Sequence, residues 1–379
     1  MMRTASRPLL LIAALLIAAC GDDDGGSSID TTMPQYDFTA FDAEVETFMA
    51  ESDLEGVGAI LVHREHGVIH QRSYGSFTDD RVYLIASSSK MVTAGVLMHL
   101  DDQGLLDVDE PITDVVGWGE GNPTITPAQL VSNSSGLVGL GPNVAYPPYI
   151  CQFLHTGTLE GCAQQIFTTT GDDADVIPPD TEFRYGGGQW QVAGGLAEAV
   201  SGKSWAELIN EIYSEPCELE AFGYNNHFTQ PGLAGGNLLG YPAAFDGDPS
   251  ILLPSDNPNM EGGAYTTIGD YGKLLLMHIR GGLCGDNRVL SEEAVRRMHA
   301  DRVGEVYGGG SYGLGWWVDA TNVSLIFDPG AYGAFPWIDA DREYGGFIVV
   351  EANTGVGGQL FNRVYPIVNE ELDRAEAAF

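Results

Sequence analysis

The chain has 379 residues, with 53 Asp and Glu against 17 Lys and Arg, a formal net charge of −36. Phosphate backbones are held by clustered basic side chains, so this balance excludes a nucleic-acid binder, and it argues equally against docking on anionic lipid through a basic patch. Hydrophobic residues make up 44% of the sequence, with 16 Tyr, 15 Phe and 6 Trp, which is ample for a core and too much for a disordered chain.

Arg3 and Arg7 precede an apolar run from Leu9 to Ala19, too short to span a bilayer and of signal-peptide length. The run ends in Ile17-Ala18-Ala19-Cys20-Gly21, which resembles a bacterial lipobox, where the cysteine becomes the acylated first residue. The plainer alternative is an ordinary signal peptide with an incidental cysteine. Residues 1–20 are thus expected to be a lipoprotein signal peptide, 21–35 an acidic Gly/Ser tether and 36–379 the folded body. The expected location is the bacterial cell envelope, periplasmic or surface-facing, with the membrane reached through lipid on Cys20. The first 35 residues carry four acids and two arginines, so the acidity belongs to the body.

Phe38 to Met49 has the spacing of an amphipathic helix. Ala59-Ile60-Leu61-Val62 and Val68-Ile69-His70 flank a turn at Arg64–Gly67 and predict a hairpin over Gly58–Gly75. Ser88 to Gln103 reads as a helix apolar nearly all round, hence buried, and stopped by Gly104. Thr126-Pro127-Ala128-Gln129 and Ser204-Trp205-Ala206-Glu207 are capping boxes. A helix over Thr266–Ile279, strands over Tyr312–Val318, Val323–Phe327 and Gly346–Glu351, and a closing helix over Gln359–Ala378 follow. Hairpin, helical middle, strands, helix: this order predicts an α/β (α+β) body, with one antiparallel sheet built from both chain ends, flanked by helices, and a helical insertion between.

Four cysteines remain beyond Cys20. In an exported chain an even number suggests two disulfides, for which Cys151–Cys162 and Cys217–Cys284 are the favoured pairing of three possible ones, with free buried thiols the alternative. No Cys-x-x-Cys spacing occurs, so no metal site on these cysteines is expected.

Leu84-Ile85-Ala86-Ser87-Ser88-Ser89-Lys90 places a Ser-x-x-Lys pair at the start of the buried helix, one turn apart on one face. Desolvation lowers a lysine's pKa, and a neutral amine beside a hydroxyl can take its proton. The free N–H groups of the helix start offer an oxyanion site at Ser87. Lysine is scarce, with only Lys90, Lys203 and Lys273 in the chain, and one of them sits in the apolar helix. The alternative is an ordinary helix start with a snorkelling lysine.

That segment, followed by Gly104-Leu105-Leu106-Asp107-Val108-Asp109-Glu110-Pro111-Ile112, Ile125-Thr126-Pro127-Ala128-Gln129-Leu130, Ser135-Gly136-Leu137, Phe183-Arg184-Tyr185, Val200-Ser201-Gly202-Lys203-Ser204, Gly262-Gly263 and Tyr312-Gly313-Leu314-Gly315-Trp316, resembles the penicillin-recognising serine hydrolases. These comprise class C β-lactamases, D-Ala-D-Ala peptidases and β-lactamase-like esterases. The resemblance runs in family order from about residue 38 onward and implies a β-lactamase/transpeptidase-like fold acting without metal or cofactor, as a monomer on a small-molecule acyl substrate.

By position, the resemblance implies that Ser87 is the nucleophile, Lys90 its base or proton relay, and Tyr185 the group that passes the proton to the leaving group. It further implies that the backbone N–H groups of Ser87 and Ala331 form the oxyanion hole. Two departures touch substrate binding. Gly187 stands where the family has the Asn of Tyr-x-Asn, and Asp328-Pro329-Gly330 stands where it has Lys-Thr-Gly or His-x-Gly. Gly330 still permits a close backbone approach. An aspartate facing the substrate would repel its carboxylate by roughly 4 kcal/mol at 4 Å and an effective dielectric of 20, which favours an ester or amide lacking that carboxylate. Asp328 as a solvated turn residue is the alternative. A non-catalytic envelope binding protein, or a true β-lactamase or D-Ala-D-Ala carboxypeptidase, are the competing functions.

Other motifs fail on context. Gly309-Gly310-Ser311-Tyr312-Gly313 imitates a nucleophile elbow, but strand-like residues follow it and no histidine comes after His299. Ala197–Ser204 only approaches a phosphate loop. His63 and His66 read as turn residues, Asp172-Asp173-Asp175 as a solvated face, and aromatics at Tyr146, Tyr149, Phe153, Trp190, Phe335 and Trp337 as pocket wall or core.

Overall fold

A computed structural model describes residues 33–119, 121–169, 174–230, 240–242, 244–308 and 311–379. Cys20, the signal segment, most of the tether, and the residues Asp172, Asp173, Gly309 and Gly310 lie outside the described residues.

Helix α1 (Thr39–Ser52) leads into β1 (Gly56–His63) and β2 (Gly67–Gly75), then β3 (Tyr83–Leu84), a 3-10 turn over Ala86–Ser89, and α2 (Lys90–Asp102). The middle holds α3 (Pro127–Val131), α4 (Leu159–Thr168), α5 (Gly188–Ser201), α6 (Trp205–Ile209), α7 (Glu215–Cys217), β4 (Gly223–Tyr224), β5 (Ala264–Thr266) and α8 (Ile268–Ile279). After β6 (Leu283–Cys284), β7 (Asn287–Arg288), α9 (Glu292–His299) and α10 (Gly304–Tyr307), the chain closes with β8 (Ser311–Tyr312), β9 (Trp317–Val318), β10 (Leu325–Phe327), β11 (Ala334–Asp339), β12 (Tyr344–Val349) and α11 (Thr354–Ala378).

The main sheet has seven strands in the order β2-β1-β12-β11-β10-β9-β8, every neighbouring pair antiparallel, so both chain ends do build it. Period-2 alternation divides its side chains between two cores. Val57, Ala59 and Leu61 of β1 face α1 and α11, while Ile60 and Val62 face the larger core that surrounds α2 and α8. Phe335 and Trp337 belong to the α11 side, where both rings pack on Phe361 at 4.4 and 5.2 Å. They are core residues on the far face of the sheet and do not wall a pocket. The strand expected over Tyr312–Val318 is instead two short strands, β8 and β9, paired with each other, because Gly313-Leu314-Gly315 turns the chain between them.

Helix α2 has ten buried residues on all its faces, as its composition requires. Its N-terminus is fixed by a second, small sheet in the order β3-β5-β4, which brings the chain entering Ser87 beside the chain entering β5. Both capping boxes are present, at Thr126 and at Ser204. The two disulfides are Cys151–Cys162, with Cα atoms 5.7 Å apart, and Cys217–Cys284, at 4.9 Å.

Candidate active site

Ser87 is the accessible point of an otherwise closed turn. Ala86, Ser88, Ser89 and Lys90 are buried, while Ser87 retains partial exposure. The neighbouring side chains are spent on holding the backbone. Ser88 Oγ donates to the Asp328 carbonyl at 2.6 Å, Ser89 Oγ donates to the Ala86 carbonyl and accepts from Ala264 N–H, and the Tyr271 and Tyr224 hydroxyls donate to the Ser88 and Ser89 carbonyls. Ala86 takes φ +45°, a left-handed conformation that a non-glycine residue adopts only where its surroundings over-determine it.

Lys90 is fully buried, and its Nζ donates to Ser87 Oγ at 2.9 Å and to the Glu261 carbonyl at 3.0 Å. The ammonium lies 4.7 Å from the centre of the Tyr185 ring, 5.5 Å from that of Trp190, and 3.6 Å from Glu261 Oε2. Burial favours the neutral amine, yet Tyr185, Glu261 and Asp328 outweigh it together and hold Lys90 above the ordinary lysine value. Desolvation, the effect expected from the sequence, is thus opposed here by anionic groups that the sequence did not place beside Lys90.

Tyr185 is half-buried, stacked on Trp317 at 5.4 Å and edge-on to Tyr312. Burial pushes its phenol up, while the Lys90 charge and hydrogen bonding to the Ser87 hydroxyl oppose that shift. Its loop is set by Asn133, itself in the left-handed region at φ +60°, whose Oδ1 accepts from Gly186 N–H at 2.9 Å and from Trp190 Nε1 at 2.8 Å. Gly187 has φ +82°, and a Cβ there would stand 2.7 Å from the Val138 carbonyl, so no side chain fits where the resemblance would put an asparagine. Its N–H donates instead to Glu261 Oε2 at 2.8 Å.

The Asp328–Ala331 turn approaches from β10 with its backbone foremost. A Cβ on Gly330 would meet the Ile85 carbonyl at 2.0 Å, so only glycine allows this contact. Asp328 is fully buried, its Oδ2 accepting from Met91 N–H at 3.4 Å and its Oδ1 left without a hydrogen-bond partner. Burial pushes its carboxyl well above the usual carboxylate range, against the Lys90 charge and the Met91 N–H. The expected substrate-facing aspartate is thus corrected to a buried one beneath the start of α2. Among the described residues the N–H groups of Ser87 and Ala331 are not taken by any protein acceptor, and Ala331 is exposed. A cleft of about 880 Å³ next to Tyr185 is lined by Leu140, Tyr146, Phe183, Arg184 and Trp317 among others.

Sequence reasoning named Ser87, Lys90, Tyr185, Gly187, Asp328, Gly330 and Ala331, and missed Glu261 and Asn133. Asn133 sits two residues before the singled-out Ser135-Gly136-Leu137, and Glu261 immediately before Gly262-Gly263, but neither carried a signal of its own. Tyr146 lines the cleft, whereas Tyr149 and Trp190 are buried beneath the site. His63 is the buried last residue of β1 and not the turn residue expected; it stacks at 4.4 Å on His66 in the turn that follows, and no group of three potential metal ligands occurs among the described residues.

Comparison with known proteins places this geometry among relatives. The beta-lactamase family profile matches residues 41–368. A penicillin-binding protein 4 of Amycolatopsis lactamdurans is 26% identical over 251 residues, which cover 63% of this chain and 61% of that protein, so the chain matches less than two thirds of that relative's length. The crystal structure of a putative beta-lactamase from Bacteroides dorei DSM 17855 superposes with a TM-score of 0.68 at 26% identity, covering 88% of this chain and all of that one. EstCE1, described as a hydrolase with promiscuous acyltransferase activity, shares the fold with a TM-score of 0.66 at 16% identity, over 89% of this chain and 98% of its own.

Proposed function

The chain belongs to the beta-lactamase family, and from that premise we propose that it is a serine hydrolase cleaving an ester or amide through an acyl-enzyme on Ser87. The observation that carries the proposal is the 2.9 Å hydrogen bond from the fully buried Lys90 to a partly exposed Ser87. Ser87 Oγ attacks the acyl carbonyl while its proton passes into the Lys90–Tyr185 pair. The Oγ–C bond forms, and the developing oxyanion is met by the N–H groups of Ser87 and Ala331. The bond to the leaving group then breaks as that group takes a proton from Tyr185, and water hydrolyses the acyl-enzyme by the reverse sequence.

The preference for a substrate without a carboxylate stays, but its reason changes. The Asp328 side chain lies beneath α2 rather than in the cleft, and burial pushes its carboxyl toward the neutral form; what the site lacks is a cation at that position, and a hydrogen bond to a charged group contributes about 1.5–3 kcal/mol. Chromogenic short-chain esters are expected to turn over at least tenfold faster, by kcat/KM, than a chromogenic cephalosporin; comparable turnover of the cephalosporin would refute this substrate preference. A non-catalytic binding role is the second reading, favoured by Gly187, whose backbone leaves no room for a substrate-placing amide. Absence of turnover on every ester tested, in protein that melts cooperatively, is its expected signature.

Export with a lipid anchor on Cys20 belongs to the same proposal. Its support is the pair of disulfides, a feature of oxidising compartments. Mass analysis of the membrane-extracted protein should find a diacylglyceryl group on Cys20, and a soluble, unmodified chain would contradict it.

A further inference from the structure

One buried charge beside the nucleophile has no counterpart among the motifs. Glu261 keeps 6% of its side-chain exposure and sits where the chain enters β5. Its main-chain carbonyl and its Oε2 both face Lys90, at 3.0 and 3.6 Å. Oε2 also accepts from Gly187 N–H at 2.8 Å, and a Cβ on Gly186 would stand 2.5 Å from that same oxygen. The Gly186–Gly187 pair therefore makes room for this carboxylate and gives it a donor.

Three ionisable groups face Lys90: the phenol of Tyr185 and the carboxyls of Glu261 and Asp328. Burial pushes both carboxyls up, and one ammonium cannot offset two buried anions. Their partners decide which is charged. Asp328 has one N–H at 3.4 Å and an oxygen with no partner, whereas Glu261 has a 2.8 Å N–H and the ammonium itself. By its contacts Glu261 is the better-placed counter-charge for Lys90, and Asp328 the poorer one.

We propose that Glu261 is a positioning residue for Lys90: its carboxylate, seated on the Gly187 N–H, keeps the ammonium charged and aimed at Ser87 Oγ. The proposal rests on the hydrolase reading for its functional meaning. A charged Lys90 has no lone pair, so the acceptor of the Ser87 proton is Tyr185 in its phenolate form, the state that the Lys90 charge favours against burial, and the phenol so formed later gives that proton to the leaving group.

The chain has three lysines, Lys90, Lys203 and Lys273, so lysine labelled with 13C at Cε gives three resonances that can be titrated one by one, with Lys203→Arg and Lys273→Arg for assignment. In wild type the Lys90 resonance is expected to keep its charged shift to beyond pH 10. In Glu261→Gln, which can still accept the Gly187 N–H, it should titrate about one to three units lower, as expected for loss of an opposite charge at this range. Glu261→Asp, which keeps the charge, should recover most of the difference. A wild-type Lys90 already neutral at pH 8, or a Glu261→Gln titration that overlays wild type, would overturn the proposal. Wild type alone decides the first point if the Gln variant fails to fold. Fluorophosphonate labelling of the same wild-type sample separates the two readings, since failure to label Ser87 defeats the hydrolase reading and leaves the Lys90 titration to stand or fall alone.

Discussion

Two turns converge on the nucleophile, and they work in opposite ways. In Ala86–Lys90 the side chains do the work: Ser87 is presented, Lys90 hydrogen-bonds it, and Ser88 and Ser89 lock the backbone. In Asp328–Ala331 the backbone does it: the Asp328 carbonyl accepts from Ser88, Gly330 lies against Ile85, and Ala331 presents its N–H, while the Asp328 side chain is folded away. A charge reversal at 328 reads as a change of substrate when the side chain is assumed to face the cleft. Buried, the same residue concerns the electrostatics of Lys90 instead.

The comparison breaks most visibly at a side chain of the first kind. Tyr185→Phe removes the hydroxyl that shuttles the proton and is expected to lower ester kcat by roughly 10²–10⁴-fold with little change in melting temperature; activity within a factor of three of wild type would take Tyr185 out of the mechanism. Gly330→Ala probes the second kind. Its Cβ would press on the Ile85 carbonyl, so the turn must retreat, at a cost of about 1–3 kcal/mol in stability by denaturant melts together with lost turnover. An alanine variant with unchanged stability would mean that the two turns do not depend on that approach.

Asp328→Asn sharpens the contrast with the smallest effect. A buried carboxyl whose folded pKa lies above its unfolded value contributes stability fully present below the unfolded value, near 4, and lost as pH rises through the folded one. The asparagine variant escapes that loss, so its stability relative to wild type should rise with pH above about 4. If Asp328 were instead the ionised partner of Lys90, the variant would be destabilised most at neutral pH, and thermal melts from pH 4 to 8 distinguish the two.

The elements legible in the sequence were those with local causes. The first hairpin, the buried helix of Ser87 and both capping boxes follow from periodicity and side-chain chemistry within a few residues. The central strand β11 was hidden because Pro336 reads against an interior strand, and α5 because glycines at 188, 194 and 195 read against a helix. A Cβ added at 194 would stand 2.3 Å from Met260 Sδ, and one at 195 would stand 2.2 Å from Ala163 Cβ, a packing demand set by other segments. The site divides similarly. Ser87 and Lys90 are neighbours in sequence and were found together, whereas Glu261, one acid among 53 acidic residues, acquires meaning only when β5 is laid beside β3.

Everything proposed for the site depends on an activated serine at Ser87. Intact mass after exposing residues 36–379 to a fluorophosphonate, with Ser87→Ala alongside, tests it most directly. One adduct, mapped to Ser87 and absent from the variant, is the predicted result; folded protein that remains unlabelled, or labels equally without Ser87, would contradict it.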